Sequence, residues 1–126
     1  MSKRETPLTR RYWESVGGTL IEEFAAVPRG SDHGPRTIDA VNILEAPTRI
    51  AKKTEVDIEG KDIIVVQTKA TRLGMYLMGQ AVFSKELMKQ YKPRSIRSVA
   101  ICTKGDSIME QLLQPFDDVE VVVYDL

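Results

Sequence analysis

Two apolar runs, "DIIVVQTKA" at residues 62–70 and "SIRSVAICT" at 95–103, constrain the fold most, because the stretch between them reads as one helix. From Arg72 to Tyr91, the residues Leu73, Tyr76, Leu77, Ala81, Leu87, Met88 and Tyr91 recur at helical spacing, Lys85 and Lys89 mark another face, and Pro93 ends the run. Strands joined by a crossover of that length pair in parallel, so the two runs are expected side by side in one sheet. Successive side chains of a strand point to opposite faces, which puts Gln67 and Lys69 on one face and Val66 and Thr68 on the other. An amide and an ammonium two residues apart on an otherwise dry strand must converge on something.

The remaining elements follow from caps, breakers and periodicity. Thr6 before Pro7 suits an N-cap with proline at the first helical position, and Leu8, Tyr12, Trp13 and Val16 give a helical face over residues 7–16, stopped by Gly17 and Gly18. "TLIEEFAAVP" reads as a strand, with helix as a competitor because Glu22 and Glu23 are adjacent. "RGSDHGPR", residues 29–36, is a loop, and "TIDAVNIL", residues 37–44, is a strand interrupted by one acid, Asp39. The polar stretch that follows leaves room for a short edge strand within 49–57, and Glu59, Gly60 and Lys61 suit a hairpin turn. Asp106 caps a short helix, "DSIMEQLLQ", and "VEVVVYD" is a last strand. The expected fold class is α/β, a mixed central sheet with flanking helices in the order α-β-β-β-α-β-α-β, as a single domain over residues 1–126.

Charge narrows the partners. Eighteen basic and eighteen acidic residues cancel, so any attraction to nucleic acid has to come from local patches. The one cysteine, Cys102, has no partner for an internal disulfide, no apolar run reaches the roughly 18 residues of a membrane span, and "MSKRETPLTRR" lacks the apolar segment of a secretory signal. A soluble protein of a reducing cytoplasm is expected.

An antiparallel meander of the earlier strands brings Asp39 beside the strand that carries Gln67 and Lys69. Asp39 offers a hard oxygen to Mg²⁺, Gln67 its amide oxygen and Thr68 its backbone carbonyl, while the ion keeps several waters. A water acidified by the metal, with Lys69 stabilising charge, can attack a phosphodiester in line.

Asp39 followed after a turn by "QTK" at the end of the apolar strand "VVQTKA" resembles the PD-(D/E)xK nuclease superfamily, in particular its Mrr-like restriction endonuclease branch, in which glutamine often takes the (D/E) place. The order of elements over residues 7–102 is similar to that superfamily's restriction-endonuclease-like core. The resemblance implies a metal-binding acid at Asp39, a second ligand at Gln67, a catalytic lysine at Lys69, Mg (or Mn) as cofactor and DNA as substrate. It also implies a glutamate from the first helix, for which Glu14 is the candidate and Glu5 the weaker one. Ile38 stands where the family has proline, and the neutral Gln67 removes a charge that Glu14, Glu22 or Glu23 would have to replace. Gln80 in the following helix is similar to a glutamine that reaches the site in some branches, although the tyrosine four residues further on in those branches is Ser84 here.

Plainer roles compete. Asp39 and Lys69 can form a buried salt bridge, and Gln80 can be a polar residue on a half-buried face. Gly74 and Gly79 fit close helix–sheet packing, His33 a solvated loop, Cys102 a small buried hydrophobe, and Tyr12 and Trp13 core anchors. Arg10, Arg11, Lys52, Lys53, Lys85, Lys89, Lys92, Arg94 and Arg97 read as solvated surface, whereas Arg72, three residues beyond Lys69, is placed to reach a phosphate. A Mg-dependent nuclease acting on DNA is the leading function. A nuclease-fold module that binds nucleic acid or assembles without cleaving it is the alternative, and a small oligomeric protein with a buried polar network is a third. The last strand leaves a homodimer open, and a chain this short leaves specificity to an unidentified protein partner.

Overall fold

The computed structural model describes residues 1–125. The chain runs α1 (Glu5–Val16), β1 (Thr19–Val27), β2 (Arg36–Ile43), β3 (Arg49–Ile50), β4 (Asp62–Thr68), α2 (Met75–Met88), β5 (Ser95–Cys102), α3 (Ser107–Leu113) and β6 (Val119–Val123). The six strands form one mixed sheet in the order β3-β1-β2-β4-β5-β6. β1, β2 and β4 are antiparallel neighbours, and β4, β5 and β6 are parallel, so α2 is the crossover that the sequence demands. No described helix is long and apolar enough to cross a membrane.

β4 divides the core. Ile64 and Val66 pack with Leu8 and Tyr12 of α1 on one face, and Ile63 and Val65 pack with Phe24, Ile38 and Met88 on the other. Burial on both faces explains its unbroken apolar run. Leu73, Leu77 and Ala81 of the α2 region meet Ala100 and Cys102 in a third cluster, so Cys102 is the buried hydrophobe expected of it, and burial pushes its thiol pKa up. Trp13 anchors α1 by donating its indole N–H to the Gly18 carbonyl at 2.8 Å.

Several local expectations are corrected. The first helix starts two residues before Pro7, because Ser2 and Glu5 exchange hydrogen bonds: the Ser2 N–H reaches Glu5 Oε1 at 2.8 Å and the Glu5 N–H reaches Ser2 Oγ at 3.2 Å. The Ser2 hydroxyl and carbonyl, rather than the Thr6 side chain, thus accept the first N–H groups of the helix, those of Glu5 and Thr6. Gly60 makes a turn with φ +76°, yet β3 and β4 are not a hairpin, since the two-residue β3 pairs in parallel with β1 at the sheet edge. Tyr76, assigned to the apolar face of α2, is 72% exposed, as that face rests instead on Leu77, Ala81, Ser84 and Met88.

Asp106 caps α3 as expected, its Oδ1 accepting the Ile108 and Met109 N–H groups.

Glycine has two opposite meanings here. Gly18 has φ +81°, and a Cβ there would lie 2.1 Å from the Ile43 carbonyl oxygen, so only glycine lets β1 begin against β2. At Gly74 and Gly79 a Cβ would meet nothing within 4 Å, so neither serves close helix–sheet packing. Gly79, inside α2, therefore gives up about 1 kcal/mol of helix propensity with no packing in return. In urea denaturation, Gly79→Ala should raise stability by about 1 kcal/mol, and Gly18→Ala should lower it by roughly 3 kcal/mol or more.

Candidate functional site

The antiparallel ladder between β2 and β4 runs from Ile43↔Ile63 to Ala40↔Val66 and stops there. Beyond it, side chains replace the backbone pairing. Asp39 Oδ2 accepts the Thr68 N–H at 2.9 Å, and the Asp39 N–H points at Gln67 Oε1 at 3.4 Å. An apolar residue at either place would leave buried amides unpaired, at a cost of about 1–3 kcal/mol each. The strands thus splay at the positions where the sequence interrupts its apolar runs.

On β1, the register runs unbroken from Glu22↔Ala40 to Phe24↔Ile38 and shifts only between Ala25 and Val27, while Glu23, level with Asp39, adopts φ +51°. Burial pushes the Asp39 carboxyl above its ordinary pKa, the Thr68 N–H and the Met1 ammonium pull it back, and Glu5 and Glu23 push it up again. Glu23 is itself ion-paired with the Met1 ammonium. Glu5 and Glu23 are thus the glutamates whose charge reaches Asp39. Glu14 is exposed nine residues further along α1, about 13 Å at the helical rise, and the Glu22 carboxylate is engaged by Arg10 at 2.8 and 3.1 Å.

Gln67 is committed elsewhere. It is 3% exposed, and its Nε2 donates to Ser84 Oγ on α2 at 2.7 Å, while the Ser84 hydroxyl donates to the Gln80 carbonyl. Lys69 donates its backbone N–H to the Ile101 carbonyl at 2.9 Å, and its Nζ lies 5.6 Å from the centroid of the Tyr76 ring. Among the described residues, it makes no ion pair with Asp39, so that salt bridge is not formed. A cation–π contact at an exposed ring contributes about 0.5–1 kcal/mol, little enough for an anion to draw the ammonium away.

Among the described residues, no three His, Cys, Asp or Glu side chains converge as a metal cage. Magnesium asks for less, since one or two carboxylates with waters and substrate phosphates are enough. Because the Lys69 N–H points to β5 across a trans peptide, the Thr68 carbonyl points the other way, toward β2 and the Asp39 carboxylate. Asp39 Oδ1 and the Thr68 carbonyl are hard oxygens on one side of β4, and they fit a cation that retains most of its waters. Gln67, tied to Ser84, is not among those donors.

α2 and the strand ends enclose a cleft of about 610 Å³, with Gln67 and Ser84 inside and Arg36, Tyr76, Gln80 and Phe83 around them. Gln67 and Gln80 are therefore brought together, whereas exposed Arg72 lies in a bridge to Lys104 and does not line the cleft. Tyr76, Phe83, Ser84 and Arg36 were not legible as site residues. The available signal was their spacing, since residues 76, 80, 83 and 87 lie on one face of a helix. His33 is exposed, with its ring Nδ1 3.0 Å from the neighbouring Gly34 carbonyl and its Nε2 3.8 Å from Asp32 Oδ1, in keeping with a solvated loop.

No protein-family model, curated protein or solved structure matches the chain.

The raised pKa of Asp39 sets a stability prediction. Its protonated form is favoured by the fold, so the stability this proton supplies is complete below the ordinary value of 3.8 and lost as pH rises through the folded value. Asn at this position keeps an oxygen for the Thr68 N–H without the charge. Asp39→Asn should therefore raise stability at pH 7 by about 0.5–2 kcal/mol. Melting temperatures measured across pH should show that gain vanishing as the pH falls below 3.8.

Proposed function

We propose that the chain is a metal-dependent nuclease of restriction-endonuclease-like fold, acting on DNA. The observation that carries the reading is the Asp39 carboxylate bonded to the Thr68 N–H with Lys69 the next residue in the chain, at the end of a buried strand. The α1, β1, β2, β4, α2, β5 succession supports it, being the order the resemblance implies. Asp39 and the Thr68 carbonyl would hold Mg²⁺ or Mn²⁺, which when bound supplies an acidified water and charge neutralisation at phosphate. Glu5 adds negative charge near the site, while the Met1 ammonium offsets that of Glu23. Lys69, leaving the face of Tyr76, sets an ammonium against the charge that develops on the scissile phosphate. Arg72 is the further cation for the DNA backbone.

One observation favours the second reading, a nuclease-fold protein that binds nucleic acid without cleaving it. Gln67 serves Ser84 and the Asp39 amide, a structural duty that leaves the metal one protein carboxylate with a clear oxygen. The buried free Cys102 suits a reducing cytoplasm. The edge strand β6 offers a second copy, or a partner that supplies specificity, a surface for pairing.

The test is cleavage of single-stranded and duplex DNA in Mg²⁺ or Mn²⁺. Turnover should be abolished by chelation and reduced about 100-fold or more by Lys69→Ala and by Asp39→Ala. Cleavage that survives Lys69→Ala would reject the mechanism, and tight binding without cleavage by the unaltered chain would establish the second reading.

A further inference from the structure

The cleft of about 610 Å³ has features that neither the metal donors nor the core requires. One stripe of α2 forms its wall, and that stripe exposes Tyr76 at 72% and Phe83 at 67%. Large exposed rings on one helix face, beside a concavity, are surfaces for stacking. Between them in sequence lies Gly79, which leaves open space where any side chain would stand and weakens the helix by doing so. The wall is thereby kept flat. Next to it, the Gln80 side-chain amide makes no hydrogen bond among the described residues, so its donors and acceptor are free to read a polar edge.

The charge around the cleft has one sign. Its lining holds Arg36 and no carboxylate. Arg36 uses Nη1 on the Gly34 and Pro35 carbonyls, which keeps Nη2 and Nε for an anion, and Lys69 reaches the same end of α2 over Tyr76. Flat aromatic faces, an unpaired amide and cations at the rim match the three parts of a nucleotide: its base, the polar edge of that base, and its phosphate. The volume lies within the range of sites that enclose a small molecule.

We propose that this cleft takes an unpaired nucleobase from single-stranded DNA, stacked on Tyr76 and Phe83, read by Gln80 and held by its phosphate on Arg36 and Lys69. The proposal rests on the nucleic-acid reading above and deepens it by naming the strand state. A base inside a duplex cannot enter a cleft of this kind without leaving its stack, so single strands, frayed ends or extruded bases are the substrates it selects.

Fluorescence anisotropy with a labelled 12-nucleotide single strand and with its duplex, both in chelator, tests this without cleavage. The unaltered chain should bind the single strand more tightly. Tyr76→Ala should weaken single-strand binding by about fivefold to a hundredfold and leave duplex binding unchanged, the range expected for loss of one stacked base. Gly79→Leu should weaken it as much by filling the wall, with a melting temperature at or above that of the unaltered chain, so that loss of binding is not loss of fold. Equal affinity for the two forms, or single-strand binding indifferent to both substitutions, would overturn the proposal while leaving the nuclease reading intact. Absence of binding to either form would overturn the proposal, and the same absence with Mg²⁺ or Mn²⁺ present would overturn the nuclease reading as well. A change in the monomer–dimer equilibrium with unchanged oligonucleotide binding would instead assign the stripe to contact with a second copy of the chain.

Discussion

The hydrogen bond from the Thr68 N–H to the Asp39 carboxylate is the hinge of the structure. The β2–β4 ladder ends at Ala40↔Val66, and the two strands remain related beyond that point only because side chains of each bind the backbone of the other. The proposed site lies at this splay. Beside it on β1, Glu23 adopts φ +51°. Gln67 spans the splay, with its Oε1 toward the Asp39 N–H and its Nε2 on Ser84 of α2.

The carboxylate in that bond carries a cost that comes from its burial. A half-buried carboxylate near Glu5 and Glu23 is disfavoured as an anion, and a structural role alone would be met by an asparagine. Lys69 has no comparable structural duty, for its ammonium only rests over an exposed ring. Gln67, in contrast, is fully explained by Ser84 and the Asp39 amide. The polar trio thus separates into one structural amide, one carboxylate whose burial is a cost, and one ammonium that only rests over the Tyr76 ring.

The α/β architecture was legible because its signals are strong ones: a long helical period between two apolar runs, a proline stop, and an Asp cap at α3. Asp39 and Lys69 stood out as candidates for a related reason, since a charge within or at the end of an apolar strand violates the local pattern. What failed was local or long-range. The Ser2–Glu5 cap was spelled in the sequence, but Thr6–Pro7 offered a competing start two residues away. Glu14 was favoured over Glu5 because it lies within the helix, and only the fold shows which end of α1 faces Asp39. The bond between Gln67 and Ser84 joins residues 17 apart across a crossover, and the flat wall at Gly79 depends on what is missing around it. Neither leaves a mark that periodicity can read.

The proposed metal site stands or falls on whether Asp39 anchors a divalent cation at the splay. Titration calorimetry of Mg²⁺ and Mn²⁺ into the protein, with a non-cleavable oligonucleotide present to supply phosphate oxygens, addresses it directly. Binding of one or more ions that disappears in Asp39→Ala is the expected outcome. Binding that persists unchanged in that variant, or no binding of either ion, would contradict it.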